Sequence, residues 1–241
     1  MSIFLKLAYI FFIGSLFGWV LELFFRRFVS KANKDRRWIN PGFLAGPYLP
    51  LYGFGLCVLY LLAGLENVSW ISDFRAGKLL LFVVMALCMT AIEYIAGLIF
   101  IKGMKVKLWD YSEKKFNFQG IICLQFSLAW ALMGAAYYFF IHPHILDGLQ
   151  WLAENLAFSF VIGLFFGVFI VDVFYSTQIL TRIRKHAVES GVIVRYEELR
   201  MQIRDFQERQ KAKYGFLFTF RSDVPLSDHV RKLIEKQRSK K

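Results

Sequence analysis

The sequence predicts an all-α protein, a polytopic transmembrane helical bundle of about five spans with a basic cytoplasmic C-terminal tail. Three observations predict it. Hydrophobic residues make up 57% of the 241 positions and mean hydropathy is +0.45, where soluble domains run at about 45–50% apolar. The apolar residues gather into blocks close to the roughly 20 residues a helix needs to cross a bilayer. Twenty-seven phenylalanines in one chain suit lipid-facing helices better than a water-soluble core.

The blocks lie at about 5–25, 48–65, 79–101, 119–141 and 156–180. Arg26, Arg27, Lys31, Lys34, Arg36 and Arg37 follow the first. The second connection holds only Arg75 and Lys78, the third holds Lys102, Lys105, Lys107, Lys114 and Lys115, the fourth has no Lys or Arg, and Arg182, Arg184 and Lys185 follow the last block. Basic loops stay in the cytoplasm, so the alternation predicts N-terminus out and C-terminus in. Met1–Arg27 does not read as a cleavable signal peptide: its apolar run is too long and its charges follow the run. The three cysteines all fall inside apolar blocks, without metal-ligand or redox spacing, and read as small buried residues.

Two regions result, a transmembrane domain over 1–180 and a basic tail over 181–241. The tail holds 16 Lys+Arg against 8 Asp+Glu and supplies +8 of the chain's net +12. In a membrane protein such charge points to cytoplasmic loops and anionic headgroups; with no nucleic-acid motif beside it, nucleic acid is not an expected partner. Val192–Lys213 predicts an amphipathic helix, with Val194, Leu199, Ile203 and Phe206 at helical spacing. "GFLFTF" at 215–220 is too short to span; it reads as a strand or as a segment dipping into the membrane surface. "EKQRSKK" at the end reads as disordered.

The stretch "INPGFLAGPYLPLYGFG", 39–55, concentrates three of the five prolines and four glycines at the mouth of the second span. Irregular backbone at membrane depth survives only inside protein or beside a wet cavity. Pro41, Gly42, Gly46, Pro47 and Pro50 therefore predict a structural turn or an unwound helix start whose amides and carbonyls are free to bind, or else an ordinary interfacial loop with a proline at a helix N-terminus. A faint parallel repeat accompanies it: Glu22, a basic loop and Asn40-Pro41-Gly42 before the second span, then Glu93, a basic loop and Asn117-Phe118-Gln119-Gly120 before the fourth.

Acidic residues inside spans are costly, about 2.5–3.5 kcal/mol at a helix centre on insertion scales, and mark a partner, a cavity or a function. Glu22, Glu93 and Asp172 all fall in the cytoplasmic half of their spans. With Asn40, Tyr52, Asn117 and the Asp110-Tyr111 pair of "WDYS" they form the candidate binding or gating set. Each also has a structural reading: Glu22 paired with Arg26 at i,i+4, Glu93 hydrogen-bonded to a neighbouring helix, Asp172 bonded near Tyr175 or Ser176, and Asp110-Tyr111 as interfacial anchors. Catalytic motifs are absent from the sequence: there is no G-x-S-x-G, H-E-x-x-H or P-loop. No cofactor and no metal is expected, and His142 and His144 lack companions with ligand spacing.

"GWVLELFF…INPGFLAGPYLPLYGFG" followed by "EYIAGLIF…LWDYSEKKFNFQGIICLQFSLAW" resembles the bacterial membrane family labelled "putative ABC-transporter type IV", or CmpB-like. The resemblance covers about residues 14–140, with a weaker likeness at "VDVFYS". Its pattern falls on Gly18, Trp19, Glu22, Asn40, Gly42, Phe43, Gly46, Pro47, Pro50, Tyr52, Gly53, Glu93, Gly97, Trp109, Asp110, Tyr111, Asn117, Gly120 and Trp130. The chain departs from it at Pro41, where an arginine is expected, at Ile101, where a glutamate is expected, and at Ala131, where a glycine is expected. The resemblance implies a permease-like role in the bacterial plasma membrane.

Three functions follow as expectations. The first is a permease with a polar cytoplasm-facing site for a cation, a proton or an amine-bearing solute. The second is a membrane-embedded enzyme on a lipid headgroup or lipid-linked substrate at the inner leaflet. The third is a scaffold that recruits a partner through its basic tail. The expected partners are membrane lipids, further copies of the chain and a separate ATPase subunit, since this chain has no ATP-binding motif.

Overall fold

The structure is a computed structural model that describes residues 1–30, 33, 36–67 and 77–214, with side chains through 205, together with 228, 231, 232, 234 and 235. It is an all-α protein, and among the described residues four helical stretches are long and apolar enough to cross a membrane. The "GFLFTF" segment and the last six residues lie outside the described residues, as does the side chain of Phe206.

Helix α1 spans Ile3–Phe28; its N-terminus is capped by Ser2, whose hydroxyl accepts from the Leu5 amide at 3.3 Å. Helix α2 spans Pro50–Ala63, opens on a proline at its first turn and continues as a 3₁₀ turn, Gly64–Asn67. At about 1.5 Å per residue its 14 residues rise about 21 Å, short of the ~30 Å hydrocarbon core. The apolar run predicted a helix from 48, but Leu49, the residue before Pro50, takes an extended backbone, and its amide donates to the Ser15 carbonyl at 2.9 Å.

Helix α3 spans Gly77–Leu98 and widens into a π-turn, Ile99–Met104, which ends where Lys105 takes a left-handed backbone. Strand β1, Val106–Lys107, follows. The chain then forms a small antiparallel ribbon from β2, Asn117–Phe118, and β3, Ile122–Cys123. The fourth span, predicted from 119, therefore begins only at 124: Gln119 and Gly120 both sit at positive φ, which a helix cannot accommodate.

Helix α4, Leu124–Ala136, passes through a π-turn, Tyr137–Ile141, into α5, His142–Glu154. Pro143 explains the irregular turn, because its ring and missing N–H disrupt the ladder one turn back. The stretch expected to be a loop between the last two spans is thus mostly α5, which buries Ile145, Leu149 and Leu152. A short 3₁₀ turn, Leu156–Phe158, leads into α6, Ser159–Glu189. At about 46 Å α6 outruns the bilayer, so position 180 lies within one continuous helix. Gly191, at φ +64°, turns the chain into β4, Val194–Arg195, and α7, Tyr196–Tyr214. Val194, expected on the amphipathic helix, is instead a strand residue paired in parallel with Val106.

Two cores result. Ile10, Leu59, Met85, Trp130, Tyr137 and Leu149 interlock α1 to α5. Leu180, Ile183, Val106, Val194 and Leu199 join the far end of α6 to the β1–β4 pair and α7. The two hairpins, α1–α2 and α3–α4, rely on small residues for close approach. A Cβ on Gly18 would overlap the Cβ and Cγ of Tyr52, and a Cβ on Gly97 would overlap Ile121. Gly18→Ala should therefore lower stability by about 3 kcal/mol, the upper range for overpacking. Gly167→Ala, with no atom in reach, should be neutral or slightly stabilising in the same detergent melt.

Candidate functional site

The Pro/Gly segment is organised from within and from three helices. The Trp19 indole donates to the Asn40 side-chain oxygen at 2.5 Å, while the Asn40 amide nitrogen donates to the carbonyls of Leu44 at 3.1 Å and Ala45 at 2.9 Å. Gly42 takes φ +76°, and a Cβ there would meet Leu49. From α6, Asp172 accepts four hydrogen bonds. Ala45 N and the Ser176 hydroxyl reach Oδ1 at 3.1 and 2.8 Å; Gly46 N and the Tyr48 hydroxyl reach Oδ2 at 2.8 and 2.6 Å. All four donors are neutral. A carboxylate 8% exposed is thus held by oriented dipoles, and it occupies two of the backbone amides that the sequence left free.

Glu22 and Glu93 belong to the two hairpins and are placed alike. Glu22 on α1 accepts from Tyr52 on α2 at 3.1 Å and from Arg26 at 3.0 Å. Glu93 on α3, only 3% exposed, accepts from the Trp130 indole on α4 at 3.0 Å and from the Tyr111 hydroxyl at 3.1 Å. In both hairpins an acid on the first helix meets an aromatic donor on the second, and Asn40 and Asn117 each tie up the loop between. The hairpins meet where the rings of Tyr52 and Trp130 lie 5.5 Å apart. The Tyr111 ring stacks on Phe126 at 4.5 Å. Burial, with the Glu93 carboxylate beside it, pushes the Tyr111 phenol well above its usual range, so it stays a donor at neutral pH.

The loop that carries Tyr111 is held by its own polar residues. Asn117 donates to the carbonyls of Ser112 and Lys114 at 3.2 and 2.8 Å and accepts from Gly120 N at 3.1 Å. Trp109 donates to the Ile121 carbonyl at 2.8 Å. Asp110 accepts from the Ser112 hydroxyl and amide and from Lys107. Burial alone would raise its carboxyl; the Ser112 and Lys107 hydrogen bonds outweigh that and hold it below the ordinary range. It is therefore ionised when it meets Arg195 of β4 at 3.1 Å.

Helix α7 covers the Pro/Gly segment and the end of α1. Arg200 donates to the carbonyls of Asn40 at 2.5 Å and Gly42 at 2.9 Å, and the Tyr196 hydroxyl reaches the Phe43 carbonyl at 3.4 Å. Burial raises the Tyr196 phenol, so it too remains a donor. Glu197 pairs with Arg26 at 3.3 Å, Arg37 with Asp205 at 2.8 Å, and Arg204 donates to the Trp38 carbonyl. Between α7 and the mouth lies a cavity of about 10 Å³, room for a single water, bounded by Arg26, Asn40, Gly42, Tyr196, Glu197 and Arg200.

The predicted residues thus fall into separate hydrogen-bonded groups, of which the Glu22 and Glu93 groups meet through the Tyr52–Trp130 ring contact. Tyr52 bonds Glu22, Tyr111 bonds Glu93, Asp172 bonds the turn built on Gly46, and Asn40 and Asn117 brace their own loops. Tyr175, a candidate neighbour of Asp172, is 59% exposed, and Ser176 makes the contact instead. Sequence reading missed Tyr48, Glu197 and Arg200. Tyr48 lies 124 positions from Asp172 and gives no local signal. Tyr196, Glu197 and Arg200 share a helical face, which was the available hint.

A family model described as "Putative ABC-transporter type IV" matches residues 9–177. The chain belongs to that family. Every position of the resemblance lies inside the matched range, and the four membrane-length helices agree with an integral membrane protein of transporter type. No curated protein and no solved structure matches the chain.

Proposed function

We propose that the chain is a permease-like protein that crosses the membrane five times, with α2 as a short crossing, its N-terminus out and α7 capping the cytoplasmic side. Its site is the cluster where the two hairpins meet. Glu22, Glu93, Tyr52, Tyr111 and Trp130 frame it, the Asp172-bound turn supports it, and α7 lies over it. The observation that carries this reading is the convergence of two span-embedded carboxylates, one from each hairpin, on a shared pair of aromatic rings. Carboxylates at membrane depth suit a cation, a proton or an amine-bearing solute. With no nucleotide-binding motif in the chain, energy from ATP comes through a separate ATPase subunit, in keeping with the family's label.

The test is native mass spectrometry of the protein in nanodiscs of host lipids, wild type against Glu93→Gln. The expected result is a bound cation or amine in wild type, reduced at least tenfold in the variant while the fold is retained. Identical spectra would sink the proposal and leave the carboxylates as hydrogen-bonding struts.

A further inference from the structure

Several arginines around the end of α1 and the start of α7 have acidic or carbonyl partners: Arg26 has Glu22 and Glu197, Arg37 has Asp205, Arg195 has Asp110 and Glu198, and Arg200 has two carbonyls. Arg27 and Arg36 differ. Among the described residues neither meets a carboxylate. Among the described residues the Arg27 guanidinium meets two rings, 4.2 Å from the centroid of Trp38 and 5.6 Å from that of Phe28, and its Nε is buried without a hydrogen-bond partner. Arg36 makes one side-chain bond, from Nη1 to the Arg27 carbonyl at 3.1 Å.

The arrangement is built rather than incidental. Asn33, fully buried, donates to the carbonyls of Arg26 and Arg37 and accepts from the Arg37 amide. This folds the chain after α1 back on the helix end and holds Arg36 at φ +51° against the backbone of Arg27. Around the two guanidiniums Phe24, Phe28 and Trp38 pack edge-on or stacked, with centroids 5.5–6.2 Å apart. They remain 49%, 58% and 44% exposed. An aromatic cluster at the end of a membrane helix sits at headgroup depth. Guanidiniums that meet no carboxylate there call for a partner with several acceptor oxygens, and a phosphate fits their fork.

We propose that Arg27 and Arg36, with Phe24, Phe28 and Trp38, form a binding site for the headgroup of an anionic phospholipid in the leaflet at the C-terminal end of α1. The guanidiniums take the phosphate, and the rings lie against the glycerol and the first methylenes of the chains. The site stands apart from the Glu22–Glu93 cluster and does not depend on it.

Native mass spectrometry in nanodiscs of equal phosphatidylglycerol and phosphatidylcholine tests it. Wild type should retain phosphatidylglycerol in preference. Arg27→Gln with Arg36→Gln should cut that retention about thirtyfold, two surface cations' worth. Arg182→Gln with Arg184→Gln removes the same charge from exposed positions on α6 and should leave retention within twofold. Equal losses in the two double variants would reduce the effect to general electrostatics and overturn the site; so would undiminished retention in the first. If the Arg27/Arg36 variant does not fold, Trp38→Leu takes its place, with a loss of at least threefold expected and full retention overturning the proposal.

Discussion

Asp172→Ala is expected to lower the unfolding free energy by about 4 kcal/mol. The substitution leaves Ala45 N, Gly46 N and the Tyr48 hydroxyl without their acceptor, in a place that water does not readily reach. An orphaned buried donor costs about 1–3 kcal/mol. The losses are not additive, and the Ser176 hydroxyl can turn to the carbonyl four residues back, so the sum falls below four full penalties. Asp172→Asn retains one acceptor oxygen, and its NH₂ can face the Tyr48 oxygen, so about half the loss is expected. Denaturation in detergent followed by tryptophan fluorescence measures both. The damage should also reach α7, because the carbonyls of Asn40 and Gly42 that Arg200 grips belong to the same turn. Limited proteolysis near Arg200 should therefore quicken in step with the stability loss. An Asp172→Ala protein that melts like wild type would mean that the turn is held by its prolines and by Asn40, and that Asp172 contributes nothing to it.

The same carboxylate shows what the sequence made legible. Contacts within a helical turn could be read directly: Glu22 with Arg26 and Asp172 with Ser176 are both i,i+4 pairs, and the structure has both. The membrane helices were legible from apolar runs, since a lipid-facing surface requires such runs whatever the packing. Where a helix starts was less so. The fourth span begins at 124 and not 119 because Gln119 and Gly120 take positive φ within a ribbon that pairs Asn117 with Cys123, and hydropathy does not register backbone handedness. Long-range polar contacts were not legible at all. Tyr48 meets Asp172, Arg200 meets Asn40, and Val106 pairs with Val194 across distances along the chain that carry no periodic signal. The tail read as a separate basic region because charge composition changes at its start, yet α6 runs through that point and α7 packs back over the Pro/Gly segment.

Glu93→Ala separates the structural duty of that carboxylate from any chemical one. Glu93 is 3% exposed and satisfies the Trp130 indole and the Tyr111 hydroxyl, one with each oxygen. Alanine strands both donors and opens a void between α3 and α4, so a loss of about 3–4 kcal/mol is expected. Glutamine keeps the shape. Its carbonyl oxygen can accept from the indole, and its NH₂ can donate to the phenol oxygen, since a hydroxyl serves either role. The expected cost is then about 1 kcal/mol. Adding Trp130→Phe to Glu93→Ala removes one stranded donor together with its lost acceptor; the two losses should fall short of additive by about 1–2 kcal/mol, a coupling that a double-mutant cycle in detergent reads directly. If glutamine costs as much as alanine, the fold needs the negative charge itself, and a neutral isostere is no longer a clean probe of ligand binding. If glutamine is cheap, the fold does not need the charge. A costly anion kept at membrane depth without a folding reason is then explained by what it binds.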